Sequence, residues 1–291
     1  MVKNREKEII IIENGSSDDS AIKIKKLKDE FPNFKVLFNK ENKGICRAFN
    51  DGFRHSKGKY LIDLSADDIL HPEFAEESIK NLESRASDYG VSFSNVRYID
   101  NNSDYLGVHF PVSGKISRLS FQAPEGDIYT DLLQKFIIKA PSMLMKRDVL
   151  VDLNGYDENL VYEDFDFWIR SSRKWNYAYL NEELVDVRIH AKNFSRRIME
   201  KNNLSFDWST FKVCMKARKL NKNEIENKAL HKRCSYHLRQ SVLTEKFRLA
   251  KMYYALIKDI DRPNMVDRFV FIMAILQLPI FPFYRIYIQN H

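Results

Sequence analysis

The sequence predicts an α/β protein, with a mixed, mostly parallel sheet, helices on both faces and a helical C-terminal extension. Three observations carry this expectation. Apolar, strand-length runs alternate with helix-length segments through the first ninety residues. The runs lack polar alternation, as strands buried on both faces do. After about residue 193 the chain has no glycine, only three late prolines and a helical composition. At 291 residues, 44% hydrophobic and 30% charged, there is ample material for a core and a disordered chain is excluded. The expected division is residues 1–196 as the α/β domain and 197–291 as the helical extension.

The elements follow in order. Residues 8–12 (Glu-Ile-Ile-Ile-Ile) are the first strand. In the stretch after it, Gly15 supplies a tight turn and Ser16, Ser17 or Asp18 caps a helix bearing Ile22, Ile24, Leu27 and Phe31. Residues 35–38 form the next strand, a helix fits 43–56, and residues 60–64 form a third apolar strand. A further helix starts near Pro72, where proline suits the first turn. Between residues 91 and 108 the pattern changes to short strands and turns, which makes the sheet mixed. Such sheets bind ligands at the carboxyl ends of their strands.

Composition bounds the chemistry. Cys46, Cys214 and Cys234 show no paired spacing, so neither a disulfide framework nor a cysteine zinc site is expected, and a reducing cytosol is the simplest compartment. The charged first eight residues lead directly into a strand, so no secretory signal is expected there. Residues 191–291 carry 20 Lys+Arg against 8 Asp+Glu, whereas residues 1–190 carry 27 against 32. The front suits a divalent cation or a polyhydroxylated ligand, and the tail suits phosphates, nucleic acid or an anionic membrane.

Four groups of residues are candidates for chemistry. Asp67 and Asp68 close Leu-Ser-Ala-Asp-Asp at the end of the third strand, where two hard oxygen ligands would hold Mg²⁺ or Mn²⁺ with ligand phosphates completing the shell. Acids favoured by a helix N-terminus explain the pair equally well. Glu163, Asp164 and Asp166 stand among aromatics, where burial is costly unless they are hydrogen-bonded or act on a ligand. Alone, that stretch reads better as an acidic first helical turn. Glu13 with Asn14 is placed either for a nucleobase N–H or for the turn itself. His190 ends Arg-Ile-His, as a structural histidine or a metal ligand.

Their order is informative. Glu-Asn-Gly-Ser-Ser-Asp (13–18), Asn-Lys-Gly-Ile-Cys-Arg-Ala-Phe-Asn-Asp-Gly-Phe (42–53), Gly-Lys-Tyr to His-Pro (58–72), Asn-Gly-Tyr-Asp to Trp-Ile-Arg (154–170) and Arg-Ile-His-Ala-Lys-Asn-Phe-Ser (188–195) together resemble glycosyltransferase family 2. The resemblance covers about residues 7 to 196, two thirds of the chain. It implies the GT-A fold, a nucleotide-sugar donor, a divalent cation (Mg²⁺ or Mn²⁺) and transfer with inversion. In this resemblance Glu13 is similar to the acid that contacts the donor base. Asn42, Gly44, Ala48, Asn50 and Gly52 match a spaced motif near the donor. Asp67 is similar to the metal-holding final aspartate of the Asp-x-Asp motif, and Asp68 to the aspartate that follows. Asp164 resembles the catalytic base, Glu163 its companion, and His190 a further metal ligand of some relatives.

The chain departs from the pattern in three places. Ser65 replaces the first aspartate of the motif and brings no charge, so metal affinity should rest on Asp67, Asp68, His190 and donor phosphates. Phe49 stands where many relatives have arginine. Family members also begin with an apolar strand and helix, whereas about six residues precede the first strand here. The expectation is a chain from a late start, a gap filled by another segment, or an inactive remnant.

The apolar stretch 269–284 is broken by Gln277, Pro279 and Pro282 and is too short to span a bilayer. It is expected either to lie in the cytoplasmic membrane interface, near glycan or lipid-linked acceptors, or to pack on the catalytic domain. The function expected is sugar transfer in cell-surface polysaccharide synthesis, at the inner face of that membrane. A nucleotidyltransferase would need basic residues for an attacking phosphate. No nucleic-acid partner is expected, because the basic tail has no recognition motif or stacking array.

Overall fold

The structure is a computed structural model that describes residues 7–110, 123–190 and 204–281. These residues fall into two compact units, one built from 7–127 and 138–189, the other from 128–137 and 190–281. The division comes at 189/190 rather than near 196, and it moves 128–137 into the helical unit. The reason is polar: Arg233 donates to the carbonyls of Leu132 and Leu133, and the Tyr129 hydroxyl donates to Asn221.

The first unit opens with β1 (Ile10–Asn14), α1 (Ser20–Glu30), β2 (Lys35–Asn39) and α2 (Ile45–His55). The crossover through α1 makes β1 and β2 a parallel pair, with Ile12 opposite Leu37. Asp18, not Ser16 or Ser17, receives the first helical amide, from Ser20. Next come β3 (Tyr60–Leu61), β4 (Ile69–Leu70), α3 (Phe74–Glu83), β5 (Tyr89–Ile99) and β6 (Tyr105–Val108). After α4 (Tyr129–Gln134), which belongs to the second unit, the chain adds β7 (Met143–Lys146), α5 (Arg147–Leu153), α6 (Asp164–Ser171) and β8 (Asn176–Arg188).

Two sheets result: β1-β2, and β3-β7-β5-β8-β4 with β6 on β5. The sheet is mixed, as expected, but it is less parallel than expected. Only β1–β2 and β5–β8 run parallel among the described residues, while β7 pairs antiparallel with both β3 and β5, and β4 with β8. The third strand is also shorter than residues 60–64, because the chain leaves the ladder before Asp63. Phe74, Ile79 and Leu82 of α3 bury themselves against Val96, Leu144, Ala178 and Val185, which supplies the core under the sheet.

The second unit is helical: α4, α7 (Leu204–Leu220), α8 (Glu224–Leu243), α9 (Phe247–Ile260) and α10 (Met265–Leu276). Asn223 caps α8 by accepting from the Glu226 amide, and Asn264 forms a capping box with Asp267 at the start of α10. Val213, Leu230, Leu238, Ala250 and Ile257 are buried. No helix among the described residues is long and apolar enough to cross a membrane.

Candidate functional site

The end of β1 is held by its own side chains. Glu13 is buried, and its carboxylate accepts from the amides of Ser16 at 2.6 Å and Gly15 at 3.2 Å. The Ser16 hydroxyl and amide hold this carboxyl below the usual carboxylate range. Gly15 is required here, since it sits at φ 71° and a Cβ would lie 2.5 Å from the Glu41 carbonyl carbon. Asn42 accepts from Asn14 at 3.2 Å and from the amide of Gly44 at 2.9 Å, and Gly44 forms the N-cap of α2. Thus Glu13, Asn42 and Gly44 come together as one turn cluster.

Asn50 is buried on α2 and its amide is committed to the backbone. It donates to the Tyr156 carbonyl at 2.9 Å and accepts from the Tyr156 amide at 2.9 Å, with Glu158 as a further partner at 3.0 Å. A Cβ on Gly155 would meet Asn50 Oδ1 at 2.4 Å, so the glycine permits this clamp. Phe49 stacks on Tyr156 with centroids 4.1 Å apart. The clamp orients the turn that precedes α6.

The Leu64–Asp68 stretch is a turn rather than a strand end. Leu64, Ser65, Ala66 and Asp67 are exposed. The Ser65 carbonyl accepts from the Asp68 amide at 3.2 Å. Asp68 accepts the Arg188 amide at 2.9 Å, and the Asp67 carbonyl accepts from the Arg188 guanidinium at 3.2 Å. These bonds pin the turn to the end of β8.

At the start of α6 the three acids separate. Asp166 is buried and pairs with Arg170 at 2.6 Å, while Arg170 also donates to the carbonyls of Leu153 and Gly155. Its role is structural. Glu163 and Asp164 face a group that sequence reasoning missed. The Tyr156 hydroxyl donates to Asp63 at 3.2 Å. Burial pushes the Asp63 carboxyl up to about 6, partly offset by that hydrogen bond. Burial, then the charges of Asp164 and Asp63, raise the Glu163 carboxyl well above its ordinary value, and among the described residues its buried Oε2 has no hydrogen-bond partner. Lys139, half-buried, lies with its ammonium 5.6 Å from the Tyr98 ring centroid; burial lowers its pKa, and the attraction of Asp164 opposes that shift. Burial and the surrounding acids push the Cys46 thiol to about 12, so it is no nucleophile. One signal in the sequence could have exposed Asp63: it is the acid in an otherwise apolar strand-like run.

No group of three His, Cys, Asp or Glu side chains suited to a metal forms among the described residues. Asp68 is directed at the Arg188 amide, and His190 belongs to the second unit. What remains is an exposed aspartate of a hard-oxygen type, which fits Mg²⁺ or Mn²⁺ only where ligand phosphates supply most of the shell.

Comparison with known proteins agrees with this architecture. The profile of glycosyl transferase family 2 matches residues 2–152. An uncharacterised glycosyltransferase of Methanocaldococcus jannaschii is 28% identical over 214 residues, 72% of this chain and 69% of that protein. The bifunctional glycosyltransferase pgtA of Dictyostelium discoideum is 26% identical over 225 residues, but these are 68% of this chain and 29% of that protein. Among solved structures, residues 1–349 of S. aureus TarS in complex with UDP-GlcNAc align with a TM-score of 0.63 at 14% identity, covering 98% of this chain and 83% of that one. The mannosyltransferase PcManGT of Pyrobaculum calidifontis, in complex with GDP-Man and Mn²⁺, aligns at 0.53 and 12% identity, covering 96% and 73%. The fold is that of GT-A glycosyltransferases.

Proposed function

Because the chain belongs to glycosyl transferase family 2, we propose that it transfers a sugar from a nucleotide-diphosphate donor to an acceptor hydroxyl, with inversion at the anomeric carbon. The observation that carries this reading is the carboxyl cluster of Asp63, Glu163 and Asp164. A hydroxyl attacks well only if a base takes its proton during attack, which contributes roughly 10²–10⁴ in rate. Burial, together with the neighbouring Asp164 and Asp63, favours the protonated form of Glu163 over that of an ordinary glutamate. Asp164, which attracts the half-buried Lys139 ammonium, we assign as the base, with Glu163 as its companion. A base acting on the face opposite the leaving group gives inversion.

The nucleotide-sugar donor is supported by relatives solved with UDP-GlcNAc and GDP-Man. Asp67, with Asp68 beside it, would hold Mg²⁺ or Mn²⁺ against the donor diphosphate, and the metal when bound offsets the charge of the departing nucleoside diphosphate. Glu13, Asn42, Gly44, Asn50 and Ser65 we assign to the donor side, with Asn50 acting through the Tyr156 turn it clamps. For His190 we keep only a donor-dependent metal contact. The acceptor we assign is a growing or lipid-linked glycan of cell-surface polysaccharide synthesis, met peripherally at the inner face of the cytoplasmic membrane. The basic second unit and its apolar last helix support that placement.

The test is Asp164→Asn. Transfer should fall by about 10²–10⁴-fold, while calorimetry shows donor affinity within a few-fold of the unaltered protein. Undiminished turnover would refute the assignment.

A further inference from the structure

Along α8, Lys228, His231, Lys232, Ser235 and Arg239 recur at helical spacing and share one face. With Asn264, the N-cap of α10, they line a cavity of about 300 Å³. Lys228, Lys232 and Arg239 are exposed, and among the described residues none of them forms an ion pair. His231 sits against Asp267 at 2.8 Å. Ser235 is only 4% exposed, yet among the described residues its hydroxyl has no hydrogen-bond partner. A buried hydroxyl left unsatisfied costs stability unless a ligand completes it. Three cations and a waiting hydroxyl suit a phosphate group.

The helix that begins at this cavity is apolar on its outer face. Met265, Phe269, Ile272 and Leu276, spaced along one stripe of α10, are 78%, 63%, 53% and 62% exposed. The inner face is fixed by buried Val270 and Ala274 and by Phe271, whose ring stacks on Tyr254 at 3.8 Å. Soluble monomers rarely leave so continuous an apolar stripe in water. At about 1.5 Å per residue the helix is about 18 Å long, too short to cross a bilayer and suited to lying within its interface.

We propose that the second unit binds anionic phospholipid, the α8 cavity taking a headgroup phosphate and the exposed face of α10 entering the acyl boundary. The occupant is chosen by charge complementarity: the cavity offers uncompensated positive charge beside an apolar face, and an anionic leaflet presents negative charge over hydrocarbon. The proposal rests on the membrane-proximal part of the function above, and not on glycosyl transfer.

Flotation of the full chain with phosphatidylcholine vesicles, with and without phosphatidylglycerol, tests it and needs no enzymatic turnover, so loss of transfer and loss of membrane binding are read separately. Flotation is expected with the anionic vesicles alone, weakening as salt is raised. Replacing Lys228, Lys232 and Arg239 together by Glu should lower the apparent affinity by on the order of 100-fold or more. Phe269→Ser with Ile272→Ser should abolish flotation while the melting temperature is retained. Equal flotation with both vesicle types, or unchanged flotation in both variants, overturns the proposal. So does calorimetric binding of inorganic phosphate without flotation, which would leave the cavity a free-phosphate site. A concentration-dependent dimer lost in the Phe269→Ser/Ile272→Ser variant, again without flotation, would give the face to a second copy of this chain.

Discussion

Asp67-Asp68 and Glu163-Asp164 are both acidic pairs in the first unit, yet their surroundings divide them. The first pair lies in an exposed turn, where Asp68 accepts a backbone amide and Asp67 stays at the surface. The second lies near Asp63, beside a buried tyrosine, and burial raises the Glu163 carboxyl well above its ordinary value. Exposed carboxylates suit a hydrated cation shared with phosphates. In a buried group of carboxyls, desolvation and mutual repulsion push pKa values up. Environment rather than residue type sets the roles.

The comparison can be broken first at Asp166, the acid of the second stretch that we place outside the chemistry. Asp166→Leu leaves Arg170 without its carboxylate and should destabilise the protein by about 3 kcal/mol in denaturant unfolding. Little loss of stability would mean that the Arg170 pair does not hold Asp166 in a structural role. A smaller effect is expected at Asn50. Asn50→Ala strands the Tyr156 amide and carbonyl and should cost about 2 kcal/mol. It should also slow transfer, because the turn before α6 loosens; unchanged stability would show that the clamp holds nothing.

The third prediction sharpens the difference between exposed and buried acids through pH. Asp63 has a folded value of about 6, against about 4 for a carboxyl in the unfolded chain. Between these values the folded protein keeps a proton that the unfolded chain has released, so stability is greatest below pH about 4 and declines as pH rises towards 6. Asp63→Asn should remove that decline and leave the variant more stable at pH 7 by on the order of 1–2 kcal/mol. An unchanged pH profile in urea titrations would place Asp63 in water.

Much of this was legible in the sequence, where local chemistry decided the outcome. The β1-α1-β2-α2 order follows from periodicity, Gly15 and the acids after it. The mixed α/β class and the GT-A fold follow from the order of five motifs. What was not legible depended on contacts distant along the chain. Asn50 meets Tyr156 a hundred residues away, and Asp68 meets Arg188 across a comparable separation. No local pattern distinguishes Asp166, which pairs with Arg170, from Asp164, proposed as the base. Asp63 was hidden inside a run that reads as strand, and it emerged only because the ladder stops at Leu61. The sheet pairing of β7 was likewise invisible, since antiparallel return depends on partner strands rather than on its own four residues.

The account stands on the assignment of charge among three neighbouring carboxyls. A ¹³C carboxyl titration of Glu163, in the unaltered protein and in Asp164→Asn, measures it directly. The account predicts that Glu163 titrates well above the ordinary glutamate range and that its midpoint falls when the Asp164 carboxylate is removed. A Glu163 midpoint in the ordinary glutamate range near 4.3, indifferent to Asp164→Asn, would contradict it.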